Sequence, residues 1–376
     1  MMVSSVVLSA LVAASSVSVA QAAPESSVTA RNAGKVMREL PLPAGDLVST
    51  AAFMNDAGQI VGTTDDGRGH YHPVRWEADR SITHLATLNG PTHPGTKALA
   101  ADGTVAGSAA TPDGHEHAVT WGGAGALMRL EEPTGFADSV ANDINDHHVA
   151  VGSVSVNSTT RPVRWGADGK ATMLDMLLHM THSQATHVND RGEIFGWASQ
   201  YNAKHAVRWD LSGQVTDLGN LGGTWGEVRG VNDRGTVVGS AGALNGDTLA
   251  ARAWPAQTFH ALAGARQSSG AIAVNNSDVA IGGIGYDAVQ WQGNELIPLR
   301  PMPDVRDTKV HSLNEAGTST GASGKYAVTW DATGQPTELP VEPSTRSAYG
   351  WVINGPGHVL GYAQRWGEGR RAVVWS

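Results

Sequence analysis

The sequence predicts an all-β protein, an eight-bladed β-propeller whose blades are four-stranded antiparallel sheets. The first observation is a phrase that recurs eight times at intervals of about 40–45 residues, which is the length of one propeller blade. The second is that this phrase and two shorter ones divide each repeat into four strands. The third is that a segment ahead of the first repeat matches the strand that the last repeat lacks.

The composition agrees with many short strands joined by tight turns. The 376 residues include 46 Gly, and only 16% of them are charged. The chain has no Cys, which excludes disulfides, Cys metal ligands and a Cys nucleophile. The formal net charge is −9 and no basic cluster occurs, so the sequence predicts no nucleic-acid partner.

The first phrase predicts a hairpin made of the first and second strands of each repeat. In the first repeat it is AAFMNDAGQIVG, from Ala51 to Gly62. Asn-Asp-x-Gly suits a tight turn because these residues tolerate positive φ, and apolar residues flank the turn on both sides. The turn Asn is replaced only in the second repeat, by Ala100; elsewhere it is Asn55, Asn145, Asn189, Asn232, Asn275, Asn314 and Asn354.

The closing Gly of this phrase is present in all eight repeats. We expect each one at a β-bulge or at a close approach of two backbones, where a side chain does not fit. These residues are Gly62, Gly107, Gly152, Gly196, Gly239, Gly282, Gly321 and Gly361.

The second and third phrases predict the third and fourth strands. The second phrase is a small residue, Val, a variable residue and Trp, and we expect its Trp residues to form a layer between blades. They are Trp76, Trp121, Trp165, Trp209, Trp254, Trp291, Trp330 and Trp375. The third phrase is a short run that ends in Leu, at Leu85, Leu130, Leu174, Leu218, Leu262, Leu299 and Leu339.

The two ends of the repeated region predict how the ring closes. The eighth repeat finishes on Trp375-Ser376 and has no fourth strand, whereas Val36 to Leu40 matches such a strand. Pairing of the two would remove an exposed pair of sheet edges and make residues 36–376 one domain. An open solenoid is the competing architecture, although solenoids usually carry distinctive capping repeats.

The N-terminal residues predict export. Residues 1–22 have the form of a signal peptide, with an apolar run from Val6 and the small-x-small site Ala20-Gln21-Ala22, and residues 23–35 form a flexible leader. The protein is therefore predicted to be secreted or periplasmic, with no membrane span after signal cleavage. An uncleaved membrane anchor is the alternative. A closed ring needs no partner to fold, so we expect a monomer.

The repeats resemble the bacterial HAF-type extracellular repeat family. The clearest match is the run from Asp217 to Trp225, DLGNLGGTW, which Val231-Asn232-Asp233 follows. The name-giving His-Ala-aromatic element has a modified form here, as in His205-Ala206-Val207-Arg208-Trp209, where Val replaces the central Phe. The resemblance covers nearly all of the chain after the leader. It implies an exported protein and carries over no catalytic residue.

Variation among the repeats marks the candidate binding residues. The position three before the turn Asn lies on the first strand, which lines the central channel of a propeller, and it differs in every repeat. It is occupied by Ala52, Lys97, Asn142, Thr186, Arg229, Ile272, His311 and Trp351, and the next position includes Asp143 and His187. The predicted binding residues are Lys97, Asn142, His187, Arg229, His311 and Trp351. The alternative is a solvated channel wall without a ligand.

Two functions remain open from the sequence. The first is a noncatalytic binding protein for a glycan, a surface polymer or a protein, since no catalytic motif accompanies the regular repeats. The second is a secreted lyase or hydrolase, with His187 or His311 as a general base and Arg229 or Lys97 stabilising negative charge. We predict no cofactor and no metal, because the paired His residues lack a carboxylate at metal-site spacing.

Overall fold

A computed structural model describes residues 31–32, 34–90, 95–254, 257–367 and 369–376. The predicted signal peptide and most of the predicted leader lie outside these ranges. Within them the chain forms strands and no helix, and hence no helix that could cross a membrane. In chain order the strands are β1 Arg31–Asn32, β2 Lys35–Glu39, β3 Val48–Met54, β4 Ile60–Asp65, β5 Tyr71–Trp76, β6 Ile82–His84, β7 Gly95–Leu99, β8 Val105–Ala110, β9 Glu116–Trp121, β10 Leu127–Arg129, β11 Asp138–Ile144, β12 Ala150–Val156, β13 Thr159–Trp165, β14 Ala171–Met173, β15 His182–Val188, β16 Ile194–Gln200, β17 Ala203–Trp209, β18 Val215–Gly219, β19 Gly222–Val231, β20 Val237–Ala243, β21 Thr248–Ala253, β22 His260–Ala261, β23 Ser269–Val274, β24 Val279–Ile284, β25 Asp287–Gln292, β26 Glu295–Pro298, β27 Thr308–Leu313, β28 Ser319–Ser323, β29 Tyr326–Trp330, β30 Pro336–Glu338, β31 Thr345–Ile353, β32 Val359–Arg365 and β33 Arg370–Trp375.

The strands assemble into antiparallel sheets whose members follow one another in sequence. Five sheets have four strands each, one has five and one has eight. The described residues thus form seven hydrogen-bonded sheets and not the eight separate blades predicted. The difference arises in the fourth and fifth repeats, where β17 also pairs in parallel with β19 through Lys204 and Trp225.

A short connection explains the shared sheet of these two repeats. Only two residues separate β18 from β19, whereas eight separate β14 from β15. Gly219 and Gly222 flank this connection and both have positive φ, which glycine adopts without steric cost. The chain therefore turns back at once, and β19 starts early enough to run beside β17.

The five-stranded sheet contains both ends of the repeated region. β2 pairs antiparallel with β33, and Met37 lies opposite Trp375. The predicted completion of the last repeat by residues 36–40 is therefore present as a strand pair. β1 adds a fifth strand through Arg31 and Asn32, so regular structure begins inside the segment predicted to be a flexible leader.

The first strands of successive repeats are neighbours, and β31 also contacts β3. Hydrogen bonds from the turn Asn residues connect the same elements. The Nδ2 atom of Asn189 donates to the carbonyl of Asn232 over 3.1 Å, and that of Asn232 donates to Asn275 over 2.8 Å. Asn354 of the last repeat donates in the same way to Asn55 of the first, over 3.1 Å. We call this series the Asn ladder.

The turns themselves differ from the prediction in where positive φ occurs. Only the fourth turn residue has it, usually a Gly such as Gly58 or Gly192, and His148 and Asp278 adopt it in the third and sixth repeats. The Asn at the first position instead accepts the amide N–H four residues later and donates to the next repeat. The Asn thus contributes to contact between repeats as well as to the turn, although the turn of the second repeat forms with Ala100 in its place.

Seven of the eight Trp residues form the predicted layer between repeats. Each is fully buried, and its indole Nε1 donates to a backbone carbonyl of the preceding repeat over 2.6–2.8 Å. In six of these bonds the accepting residue directly follows the Leu that closes the preceding fourth strand. For Trp76 the acceptor is Pro41, which follows Leu40 and the strand β2.

Trp254 is the exception, and its predicted place in the layer is wrong. Val237 of the fifth repeat lies opposite Ala253, at the register position where Ile194 of the fourth repeat lies opposite Trp209. Trp254 is one residue beyond that position and is 37% exposed. Phe259, only 3% exposed, packs with Leu218 in the core between these two repeats.

Candidate functional site

The eight variable positions are β-bulge residues. In every first strand the pairing register skips one residue, and the skipped residue is the one three before the turn Asn. In β27, for example, Val310 and Ser312 pair with β28 while His311 between them has no partner. A bulge leaves its extra residue outside the ladder and turns its side chain away from the regular alternation. The fold therefore frees this one position per repeat from sheet pairing.

The closing Gly of each repeat makes the bulge possible, as predicted. A Cβ on Gly321 would lie far inside contact distance of the Lys309 carbonyl oxygen, and a Cβ on Gly196 would meet Gln184 in the same way. The same close approach occurs at all eight closing Gly residues. The conserved spacing within this chain thus reflects a backbone requirement, while the bulge residue itself is free to vary.

Asn142 and His187 are buried between repeats. The Asn142 Nδ2 donates to the carbonyl of Ala185 over 2.9 Å, and the residue is 7% exposed. His187 is 2% exposed, and its Nδ1 is 2.8 Å from the Thr186 hydroxyl. Burial lowers the pKa of His187 to about 4, an effect that the Arg229 backbone and the Glu227 carboxylate oppose. Such a ring is neutral at pH 7 and closed off from any large ligand.

Asp143, beside Asn142, is a buried carboxyl group held by backbone amides. Its carboxyl oxygens accept hydrogen bonds from the N–H groups of Ile144 and Val188, each over 2.9 Å. Burial raises the pKa of Asp143 to about 7, although these hydrogen bonds act in the opposite direction. The side chain therefore joins β11 to β15.

Lys97 and Arg229 are partly exposed and lie on first strands of different repeats. The Arg229 guanidinium is 3.3 Å from the Glu227 carboxylate, which Lys204 also approaches to 3.4 Å. Arg229 is thus an ion-paired side chain on the first strand next to β15. The structure does not bring it together with Lys97, which lies three repeats away.

His311 and Trp351 do come together, as their places in consecutive repeats predict. Their ring centroids are 4.9 Å apart and the ring planes meet at 39°. Tyr349 lies 6.4 Å from His311 and 5.4 Å from Tyr362, and the Arg370 guanidinium carbon is 5.7 Å from the centre of the Tyr349 ring. We call these five residues the aromatic cluster.

The hydroxyl groups of the aromatic cluster are held in place. Arg370 donates from Nη1 to the Tyr349 hydroxyl over 3.2 Å. The Tyr362 hydroxyl donates to the Ala51 carbonyl over 2.6 Å and accepts from the Ala51 N–H over 3.1 Å. Tyr362 thereby connects the last repeat to the first, beside the small bulge residue Ala52.

The electrostatics of the aromatic cluster leave its rings uncharged at neutral pH. Burial lowers the pKa of His311 to about 4, and the charge of Lys309 adds to this effect. Burial also raises the pKa of Tyr349 and that of Tyr362 above the ordinary tyrosine value. Arg370 is thus the one cation of the cluster.

Sequence reasoning missed Tyr349, Tyr362 and Arg370. Tyr349 and Tyr362 are a cross-strand pair of β31 and β32, two positions from the bulge. The available signal was the residue after the closing Gly, which is aromatic only at Trp197 and Tyr362. It becomes informative only once the register shows what stands opposite it.

The comparisons with known proteins are limited to structure. No protein-family model matches the chain, and neither does any curated protein. Among solved structures, one of two prolyl endopeptidases has a TM-score of 0.53 at 12% identity and covers 86% of this chain and 54% of its own. A virginiamycin B lyase from Staphylococcus aureus has a TM-score of 0.48 at 14% identity, and the match covers 90% of this chain and 98% of the lyase. A gluconolactonase from Xanthomonas campestris has a TM-score of 0.37 at 12% identity, and the match covers 78% of this chain and 89% of the gluconolactonase.

Only the prolyl endopeptidase exceeds a TM-score of 0.5, and at 12% identity its likeness bears on the fold alone. With the four-stranded antiparallel sheets described above, it supports an all-β, propeller-like fold. The enzymatic activities belong to those proteins.

Proposed function

We propose that this chain is an exported eight-bladed β-propeller that binds a glycan at the aromatic cluster, without catalysing a reaction. The observation that carries the proposal is the contact of two bulge residues, His311 and Trp351, in neighbouring repeats. The fold exempts these positions from pairing, and here they present adjoining, partly exposed rings.

The closed ring is supported by contacts between the first and last repeats. Asn354 donates to the Asn55 carbonyl, Tyr362 to the Ala51 carbonyl, and the Gly355 N–H to the Asp56 carboxylate over 2.7 Å. With the shared sheet of repeats four and five counted as two blades, eight blades follow one another around a central channel. The bulge residues would then converge on that channel.

The chemistry of the aromatic cluster favours a sugar. One face of a pyranose ring carries mainly C–H groups, which pack on aromatic rings, while its hydroxyls need donors and acceptors at the rim. Trp351 and His311 supply the rings, and the Tyr349 hydroxyl and the Arg370 guanidinium supply polar groups. Pockets of this kind combine apolar walls with a few oriented polar groups.

The test is a glycan and polysaccharide array probed with the mature chain. We expect selective binding that Trp351→Ala weakens at least tenfold, because it removes the largest ring of the cluster. Trp366→Ala is the matched control, since Trp366 is 70% exposed and lies outside the cluster. Equal loss in both variants, or no binding to any glycan, would reject the proposal; the remaining partner classes are a noncarbohydrate surface polymer or a protein.

A lyase or hydrolase is the second candidate, and one observation favours it. His311 is neutral at pH 7 and lies near the Tyr349 ring, so it has the protonation state of a general base. His187 is too buried for this role. Mass spectrometry of glycans incubated with the protein would detect hydrolysis or elimination. Turnover that His311→Gln abolishes would establish catalysis, and unchanged glycans would exclude it for those substrates.

Export and membership of the HAF-type repeat family are further parts of the proposal. They are supported by the features of residues 1–22 and by the run from Asp217 to Trp225. Expression in a bacterium, followed by cell fractionation and N-terminal sequencing, tests export. A secreted or periplasmic product that begins near residue 23 agrees with the proposal, while an uncut chain in the membrane fraction contradicts it.

A further inference from the structure

The displaced Trp254 borders a hollow between the fourth and fifth repeats. The hollow and the open solvent at its mouth together take up about 380 Å³. Its aromatic lining is Trp254 and Phe195, and its polar lining is Arg208, Thr216, Asp217, Gln257 and Thr258. We call it the Trp254 pocket.

A one-residue slip creates this pocket. Ala253 occupies the packed position that Trp fills in the other repeats, so Trp254 leaves the layer between repeats. The neighbouring Phe259 closes the core, and its N–H donates to the Leu218 carbonyl over 2.8 Å. The indole of Trp254 is consequently exposed at the pocket wall, where the Arg252 guanidinium carbon lies 5.6 Å from the ring centre.

Hydrogen-bond donors without partners lie beside this ring. Among the described residues, the Nε atoms of Arg208 and Arg252 are buried and have no hydrogen-bond acceptor. Arg252 is 1% exposed, and its weak remaining bonds go to the carbonyls of Asp278, over 3.2 Å, and Gly293, over 3.5 Å. Buried donors normally have acceptors, and of these two side chains only Arg208 lines the pocket, so the Arg208 guanidinium invites an acceptor from a bound molecule.

The carboxylates near the pocket are already engaged. Asp217 accepts from the Gly219 N–H over 2.7 Å and is 2.8 Å from the His205 ring. Glu193 accepts from Arg208 over 2.6 Å and from Asn189 over 2.9 Å. Neither therefore supplies the missing acceptor without giving up a present bond.

From this arrangement we infer that the Trp254 pocket binds an acidic sugar unit, a pyranose that carries a carboxylate. The carboxylate would accept from Arg208, since a guanidinium binds such groups with strong, charge-assisted hydrogen bonds. The sugar ring would pack on Trp254, and the hydroxyls would meet Thr216, Gln257 and Thr258. This pocket is built from other residues than the aromatic cluster, so the inference does not depend on the glycan proposal for Trp351.

The inference is tested with D-glucuronate as the probe and the full mature chain as the protein. Saturation-transfer NMR and calorimetry measure its dissociation constant, with D-glucose and D-glucuronamide as uncharged counterparts. We expect glucuronate to bind at least tenfold more tightly than either, because only its carboxylate suits Arg208. Equal binding of the three compounds, or no binding of glucuronate at millimolar concentration, would overturn the inference.

Variants with matched controls locate the site. Trp254→Ala and Arg208→Gln should each weaken glucuronate binding at least tenfold. Trp366→Ala and Arg164→Gln should leave it unchanged, because Arg164 has the same place in the third repeat and donates to the Leu211 carbonyl. Trp254→Ala alters a partly exposed side chain and so keeps the test valid if Arg208→Gln fails to fold. Loss of glucuronate binding in Trp351→Ala with retention in Trp254→Ala would assign the sugar to the aromatic cluster and refute the pocket.

Discussion

Replacing Asn232 by Ala tests whether the Asn ladder stabilises the protein. The Asn232 amide donates from Nδ2 to the Asn275 carbonyl over 2.8 Å and to the Asp278 carboxylate over 3.0 Å. Its Oδ1 accepts from the Thr236 N–H over 2.8 Å and from the Arg234 N–H over 3.0 Å. All four bonds vanish in the variant.

The magnitude follows from the groups that stay buried. The Thr236 N–H lies in a residue that is 1% exposed, so water cannot replace its lost acceptor. The Asn275 carbonyl keeps a donor, the N–H of Asp278 over 3.0 Å. One unsatisfied buried group costs about 1–3 kcal/mol, which predicts a loss of about 2 kcal/mol in the free energy of unfolding.

The assay is urea unfolding followed by tryptophan fluorescence and circular dichroism. Asn245→Ala is the control, since Asn245 is an exposed turn residue of the same repeat that bonds only to Asp247 nearby. We expect the free energy of unfolding of Asn245→Ala to differ from that of the wild type by about 0.5 kcal/mol or less. If Asn232→Ala is no more destabilising than Asn245→Ala, the ladder does not contribute the stability argued here.

Three further predictions concern charge, backbone contact and pH. Burial and the carboxylates of Asp233 and Asp146 raise the pKa of Asp190, so its ionisation opposes folding and stability should grow as pH falls through its titration. Asp190→Asn should therefore raise the free energy of unfolding at pH 7 by about 0.3–0.5 kcal/mol. An Asn fits this turn position, since Asn276 occupies it in the sixth repeat. No gain in stability over the wild type would contradict the prediction. Gly282→Ala should cost about 3 kcal/mol or more in urea unfolding because its Cβ would strike the Gly270 carbonyl, whereas Gly283→Ala, whose Cβ would be 3.6 Å from the nearest atom, should cost about 1 kcal/mol or less; similar costs would refute the bulge argument. The depressed pKa of His311 implies stability that is present above pH 6.5 and is lost as pH falls toward 4. The thermal unfolding temperature of His311→Phe should therefore decrease less steeply over this pH range than that of the wild type. Parallel pH dependences of the two unfolding temperatures would contradict this.

The repeat predicts much of this fold because its signals are local. Turn residues, alternating apolar residues and the closing Gly all act within one hairpin, and they placed the strands and the close backbone contacts correctly. Trp254 shows the limit of that approach. The slip by one residue depends on which neighbour fills the core, and Phe259 does so from a different part of the repeat. The sequence does contain one sign of this slip, because Arg252 stands two residues before Trp254 where the other repeats have Val.

The candidate site was less accessible from the sequence because its parts come from different strands. Repeat spacing alone paired His311 with Trp351. The position of Tyr349 against Tyr362, and of Arg370 over Tyr349, follows from the register of β31, β32 and β33. Conversely, Asn142 and His187 share the variable region of the sequence but are buried, and the bulge residue Asn142 bonds to Ala185 of the next repeat. Residue type alone does not reveal the direction that a bulge gives its side chain.

The pairing of β2 with β33 has a consequence for chain connectivity. Ser376 exchanges backbone hydrogen bonds with Val36, and Lys35 donates to the Gly357 carbonyl, a partner 322 positions away. The last sheet thus depends on a contact between segments far apart in the sequence, and pairing at such a separation is slow because a long loop must close first. It also means that the polypeptide could begin at a different repeat while every repeat kept the same neighbours in space. A circular permutant that joins residue 376 to residue 35 through a short linker, and opens the exposed turn at Asn245–Gly246, would turn this long-range contact into a local hairpin.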